Sequence, residues 1–100
     1  MRLDKFLKVS RLIKRRTLAK EICDGGAVEV NHRLAKASTE VKRGDIITLK
    51  LGNRWQTVEV LATPENIAAD RAKETYRILA EGRSGGGAQL APADAPGDGG

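Results

Sequence analysis

Eight cations fall within the first twenty residues, MRLDKFLKVSRLIKRRTLAK: Arg2, Lys5, Lys8, Arg11, Lys14, Arg15, Arg16 and Lys20. One acid, Asp4, stands against them, so the segment carries a net +7. The chemistry open to such a set is electrostatic: it binds polyanions, phosphate backbones above all. Arginine is the more selective phosphate ligand, because its planar fork donates two parallel hydrogen bonds or stacks on a splayed base. Arg2, Arg11, Arg15 and Arg16 are therefore the candidates for shaped contacts, with the lysines as surrounding charge. A charge run is usually just a solvated face, but one acid in twenty residues argues for a nucleic-acid surface here. Asp4 has two readings, a helix-start residue stabilised by the dipole or a brace for one arginine, and the first is favoured.

Nothing else in the chain reads as a reactive centre. His32 is the only histidine, in a turn, with no acid–base partner nearby in sequence. Cys23 falls on an apolar helical stripe and reads as a buried structural thiol. A single cysteine rules out an intrachain disulfide or a Cys-based zinc cluster within one chain. Trp55 reads as packing on a sheet or a partner in preference to stacking a base, and Tyr76 as a core residue with its hydroxyl at the surface. There is no phosphate loop, metal-ligand spacing or serine triad. The expectation is a non-enzymatic protein with no metal and no cofactor.

The chain has 100 residues, 40% hydrophobic and 31% charged, with net charge +5 and pI about 9.7. All the excess positive charge lies in the first fifth: residues 21–50 are neutral and residues 51–100 carry −2. Phe6, Trp55 and Tyr76 are the only aromatics, which excludes a broad base-stacking platform. No apolar run approaches the roughly 20 residues that cross a bilayer. No signal peptide is read at the charged N-terminus, so a cytoplasmic compartment with Cys23 reduced is expected.

The elements that must carry the cations follow from periodicity. Leu3, Phe6 and Leu7 at i, i+3, i+4 predict a helix over 3–10, with Arg2, Lys5 and Lys8 on a neighbouring face. A second helix is predicted from an N-cap at Thr17 to Asp24, burying Leu18, Ala19, Ile22 and Cys23, and closed by the positive φ of Gly25-Gly26. From Ala27 the period becomes two. Val28–Val30 is a strand, Asn31-His32 a tight turn, and 33–35 a short return. Lys42 to Asp45 is a turn, Ile46–Leu51 the clearest strand, Gly52-Asn53 a hairpin turn, and 55–61 the returning strand. Thr63 and Pro64 then predict a third helix over 63–81, with Ala68, Ala72, Thr75, Tyr76 and Leu79 inward. The Gly/Ala/Pro-rich residues 82–100 cannot bury enough surface to order and read as a disordered tail. The fold class is α+β: two N-terminal helices on a small antiparallel sheet, with a C-terminal helix. The divisions expected are a domain over 1–62 with an extra hairpin, the helix over 63–81, and the tail.

Four blocks in order, Leu3-Asp4-Lys5-Phe6-Leu7, Lys14-Arg15-Arg16-Thr17-Leu18-Ala19-Lys20, Gly26-Ala27-Val28-Glu29-Val30-Asn31 and Gly44-Asp45-Ile46-Ile47, resemble the S4 RNA-binding domain over residues 2–51. That resemblance implies the S4-type (alpha-L) fold, with the helix pair as the RNA-contacting surface. Two positions depart from the usual pattern. His32 stands where Gly normally follows the asparagine of the first hairpin, at a modest strain cost. Arg43 stands where Pro is frequent.

More narrowly, the start of the chain, the TVEVL segment and Ala72-Lys73-Glu74-Thr75-Tyr76 resemble the RqcP family of small stand-alone S4 proteins of bacterial ribosome-associated quality control. The resemblance implies a factor on the obstructed large ribosomal subunit, and a monomer is expected. There it would contact large-subunit rRNA and peptidyl-tRNA and support an RqcH-type tailing factor that adds alanines to the stalled chain. Arg2 and Arg16 are assigned to RNA contact first, with the other six bases around them.

Three alternatives stand beside this. Heat-shock S4 proteins that recycle free large subunits with nascent chains are similar over the first 50 residues, but usually carry a longer, basic C-terminal extension, whereas residues 51–100 here sum to −2. An enzyme would need a catalytic domain attached to the S4 unit. A DNA regulator using the helix pair as a helix-turn-helix is not separated from RNA binding by charge alone.

Overall fold

Leu3, Phe6 and Leu7 are all fully buried, as their shared helical face requires. They belong to α1, Leu3–Val9, in a computed structural model that describes residues 1–83. α2 follows at Arg16–Asp24, then β1 (Val28–Val30), β2 (Arg33–Leu34), β3 (Ile46–Leu51), β4 (Arg54–Val60), a 3₁₀ helix over Ala69–Thr75, and β5 (Tyr76–Arg83). The strands form one antiparallel sheet in the order β2-β1-β3-β4-β5. The α+β expectation of a helix pair on a small antiparallel sheet is met.

The sheet's period-2 pattern sets the core. Val28, Val30, Ile47, Leu49, Val58 and Val60 all turn to one face, against Leu3, Phe6, Leu7, Ile13, Ala19 and Cys23 of the helical layer. On α2 the buried residues are Ala19 and Cys23, with Ile22 packed beside them. Leu18, expected inward, is 45% exposed. The helix begins one residue before Thr17, which lies inside it and caps nothing; Arg15 is the N-cap, in extended conformation with no side-chain bond to the helix.

Both helices close on a left-handed residue. At the end of α2, Gly26 (φ +86) donates to Cys23 and Ala27 to Ile22, so the left-handed residue satisfies the last carbonyls. At the end of α1 the equivalent left-handed position is Arg11 (φ +65), which donates to the Lys8 carbonyl, while Ile13 donates to Leu7. The β1–β2 turn is likewise left-handed at both Asn31 (φ +53) and His32 (φ +69), as its hairpin geometry demands. Asn31 then locks that turn to the start of β3, since its Oδ1 accepts from the Ile46 N–H and its Nδ2 donates to Asp45.

The third helix over 63–81 is not formed. Residues 61–68 are irregular, Ala69–Thr75 is a 3₁₀ helix, and Tyr76–Arg83 is a strand. Of the expected inward stripe, Ala72 and Thr75 are buried and Tyr76 packs on the core, whereas Ala68 and Leu79 are exposed. A non-local demand overrides the local pattern: β4 would otherwise leave the ladder of a seven-residue strand open. β5 closes it, pairing Val60 with Tyr76, Val58 with Ile78 and Arg54 with Arg83, with a register shift at Thr57/Val58. Gly82 and Arg83 are thus strand, and the disordered tail expected from residue 82 otherwise lies outside the described residues.

Cys23 offers a probe of this core. Burial first, and the nearby Asp4 and Asp24 after it, push its thiol up from 9.0 to about 11. Between those values the unfolded chain has lost the proton that the folded chain keeps, so stability falls as pH rises from about 9 to about 11. Melting curves across that range should show an alkaline decline that Cys23→Ala flattens. An unflattened decline would mean that the thiol is not the group responsible.

Candidate nucleic-acid interface

The N-terminal residue is tied into the fold before α1 begins. The Met1 ammonium meets Glu40 Oε1 at 3.0 Å, the Val41 N–H donates to the Met1 carbonyl, and the Leu3 N–H donates to Thr39. Arg2 forms an isolated strand bridge with Glu40, so its backbone is extended and fixed. Its side chain turns back to Asp4, with Nε donating to Oδ1 at 3.3 Å.

Asp4 is buried, at 3% exposure, in the first turn of α1. Oδ1 also accepts the Lys5 N–H at 2.8 Å, and Oδ2 faces Arg16 Nε at 3.4 Å. One carboxylate thus holds an arginine from before α1 and another from the first turn of α2. Both readings of Asp4 are realised together: it is a helix-start acid, and it braces two arginines instead of one. Each guanidinium remains about half exposed, 45% for Arg2 and 49% for Arg16, so unused donors face solvent.

The remaining bases surround this centre. Lys20 follows Arg16 by four residues on α2, and Lys8 follows Lys5 by three on α1, the spacings that share a helical face. Arg11, Lys14 and Arg15 lie exposed in the link between the helices. Among the described residues, Lys8, Arg11, Lys14, Arg15 and Lys20 make no ion pair. Lys5 does, with Glu65 of the irregular 61–68 segment, and the lysine holds the Glu65 carboxyl below its ordinary range. That counter-charge was not legible in sequence, because sixty residues separate the partners. Exposed Leu18 stands two residues beyond Arg16, an apolar side chain among cations. No group of three or more metal-ligating side chains occurs among the described residues.

Arg11 holds an unfavourable backbone. Gly26 takes the same left-handed place in α2 at no steric cost, whereas a non-glycine residue there costs roughly 1–2 kcal/mol. An arginine kept in that conformation on the cationic link is strain retained at a candidate contact surface.

Comparisons with known proteins meet the same segment. The S4 domain family model matches residues 1–47. The RQC P-site tRNA stabilizing factor of Bacillus subtilis (strain 168) is 51% identical over 85 residues, covering 85% of this chain and 99% of that protein. Heat shock protein 15 of Escherichia coli (strain K12) is 39% identical over 82 residues, covering 81% of this chain and 62% of that protein. Among solved structures, the trimeric Heat Shock Protein 15 of Vibrio cholerae superposes with a TM-score of 0.74 at 36% identity, over 80% of this chain and 82% of that one.

Two substitutions separate geometry from bulk charge. Asp4→Asn makes the face more positive, so charge counting expects tighter RNA binding; loss of the brace should instead weaken filter binding to ribosomal RNA by about tenfold, ~1.4 kcal/mol. Tighter binding would remove the brace from the account. Arg11→Gly should raise stability by about 1 kcal/mol, read by denaturant unfolding, while reducing RNA affinity. A variant both stabilised and undiminished in binding would show that Arg11 makes no contact.

Proposed function

The chain belongs to the S4 domain family, and from that premise we propose that it is a non-enzymatic RNA-binding factor of ribosome-associated quality control. It acts in the cytoplasm, as a monomer, on obstructed large ribosomal subunits. There it binds large-subunit rRNA and peptidyl-tRNA through Arg2, Arg16 and the six bases around them. By holding the tRNA it supports an RqcH-type factor that extends the stalled chain with alanine. The observation that carries this reading is the pair of half-exposed arginines fixed on one buried carboxylate at the meeting point of two helix starts. The high identity to a factor named for stabilising P-site tRNA supports the choice of partner.

The geometry accounts for how such binding works without chemistry on the RNA. A phosphate approaching Arg2 and Arg16 meets guanidinium donors already oriented, so little side-chain entropy is lost on contact. The exposed N–H groups at the start of α2 and its positive dipole end lie beside them. Displacing Glu65 from Lys5 frees a further cation when RNA arrives. With three aromatics in the whole chain, recognition rests on backbone charge and shape.

A second reading is favoured by the likeness to Heat shock protein 15: a factor that recycles free large subunits carrying nascent chains. The two readings differ in company. Large subunits captured with this protein should carry peptidyl-tRNA and the tailing factor in the first case, and lack the tailing factor in the second.

The site assignment has a direct test. Arg16→Ala should abolish co-sedimentation with large subunits while the chain stays folded, with a Tm loss limited because the buried Asp4 keeps Arg2 and the Lys5 N–H as partners. Wild-type affinity should fall by about 0.7–0.9 log units per phosphate contact for each tenfold rise in salt. Undiminished co-sedimentation of the variant, or binding insensitive to salt, would overturn the assignment.

A further inference from the structure

The sheet outruns the helices at the hairpin end of β3 and β4. The chain leaving α2 meets β3 at Lys50, whose N–H donates to the Ala27 carbonyl at 2.9 Å. Leu49 is buried, while Leu51 is 40% exposed. A groove of about 540 Å³ opens there. Two cross-strand rows on the same face as the core residue Ile47 line it, Leu49-Gln56-Glu81 and Leu51-Arg54-Arg83, together with the Trp55-Gly82 pair between them.

The second row is electrostatically unfavourable as it stands. Arg54 and Arg83 are direct partners across β4 and β5, and like charges so placed repel. Among the described residues neither arginine makes an ion pair. Glu81, the one acid lining the groove, is bonded instead to Gln56 Nε2 at 3.3 Å. An anion between the two exposed guanidinium groups would relieve that repulsion.

We propose that Arg54 and Arg83 form a second RNA-phosphate site, separate from the basic helix face. The helix face adjoins the other end of β3, where the N-terminus docks on residues 39–41 and Lys5 meets Glu65. A strand of six residues spans about 20 Å, so a single phosphate does not reach both sites. RNA binds at two places, and the second contact forms at the raised effective concentration the first provides. This rests on the RNA-binding reading of the helix face.

The test is binding to protein-free ribosomal RNA across a salt series, with Arg16→Ala in parallel. The Arg54→Ala/Arg83→Ala double variant should bind several-fold more weakly, with a log–log salt slope shallower by about 1.4–1.8, two contacts' worth. Arg83→Glu places a carboxylate opposite Arg54, so it should raise Tm while lowering RNA affinity, and misfolding would not account for that loss. A wild-type salt slope in the double variant overturns the second site, whether its occupant is then an acidic protein segment or nothing. If Arg16→Ala binds as wild type, the reading of the helix face fails first; if only Arg16→Ala weakens binding, the second site alone is lost.

Discussion

The arrangement of the cationic face depends on a single buried carboxylate. An uncompensated charge at the position of Asp4 would be strongly destabilising, so the fold must supply partners wherever that side chain goes. It supplies three: Arg2 from the segment before α1, the Lys5 N–H within α1, and Arg16 from the first turn of α2. Meeting that requirement orients two guanidinium groups and links the starts of two helices that would otherwise repel one another. The lone acid of the basic segment is what allows so dense a positive surface to hold a defined shape.

The same logic explains the anchoring of the N-terminus. A terminal residue is ordinarily among the least ordered, yet here Met1 and Leu3 are bonded to the 39–41 segment and Arg2 is bridged to Glu40. Ordering the chain there fixes the backbone that carries the Arg2 side chain to Asp4. The closure of α1 at Arg11 works in the opposite sense. Where α2 ends on a glycine suited to left-handed backbone, α1 ends on an arginine that is not, and stability is given up at a place where charge is useful.

Much of this was legible from residue types and spacing. The apolar spacing of Leu3, Phe6 and Leu7, the alternation from Val28 to Val60, and the Gly25-Gly26 closure each correspond to the observed element, because each is decided within a few residues. The eight candidate cations could be named for the same reason. What escaped was decided at long range. The brace on Arg16 is twelve residues from Asp4, and the Lys5–Glu65 pair spans sixty. The failed third helix is the clearest case. The segment from Ala68 to Leu79 has acceptable helical periodicity, but β4 presents an open hydrogen-bonding edge, and Tyr76 to Ile78 suit a strand as well as a helix. Tertiary demand chose between two locally permitted states.

That outcome has a functional corollary. Had residues 63–81 formed a helix, Arg83 would stand clear of β4 and Arg54 would face solvent with no like charge opposite it. The strand instead brings the two arginines into register at the far end of the sheet from Asp4. At the first site, repulsion between arginines is answered from inside the protein by a buried carboxylate; at the second, no described acid answers it. On the proposed reading the two sites differ in kind: the Asp4 face is preorganised ahead of any RNA contact, whereas the Arg54–Arg83 row would gain its balance only on contact.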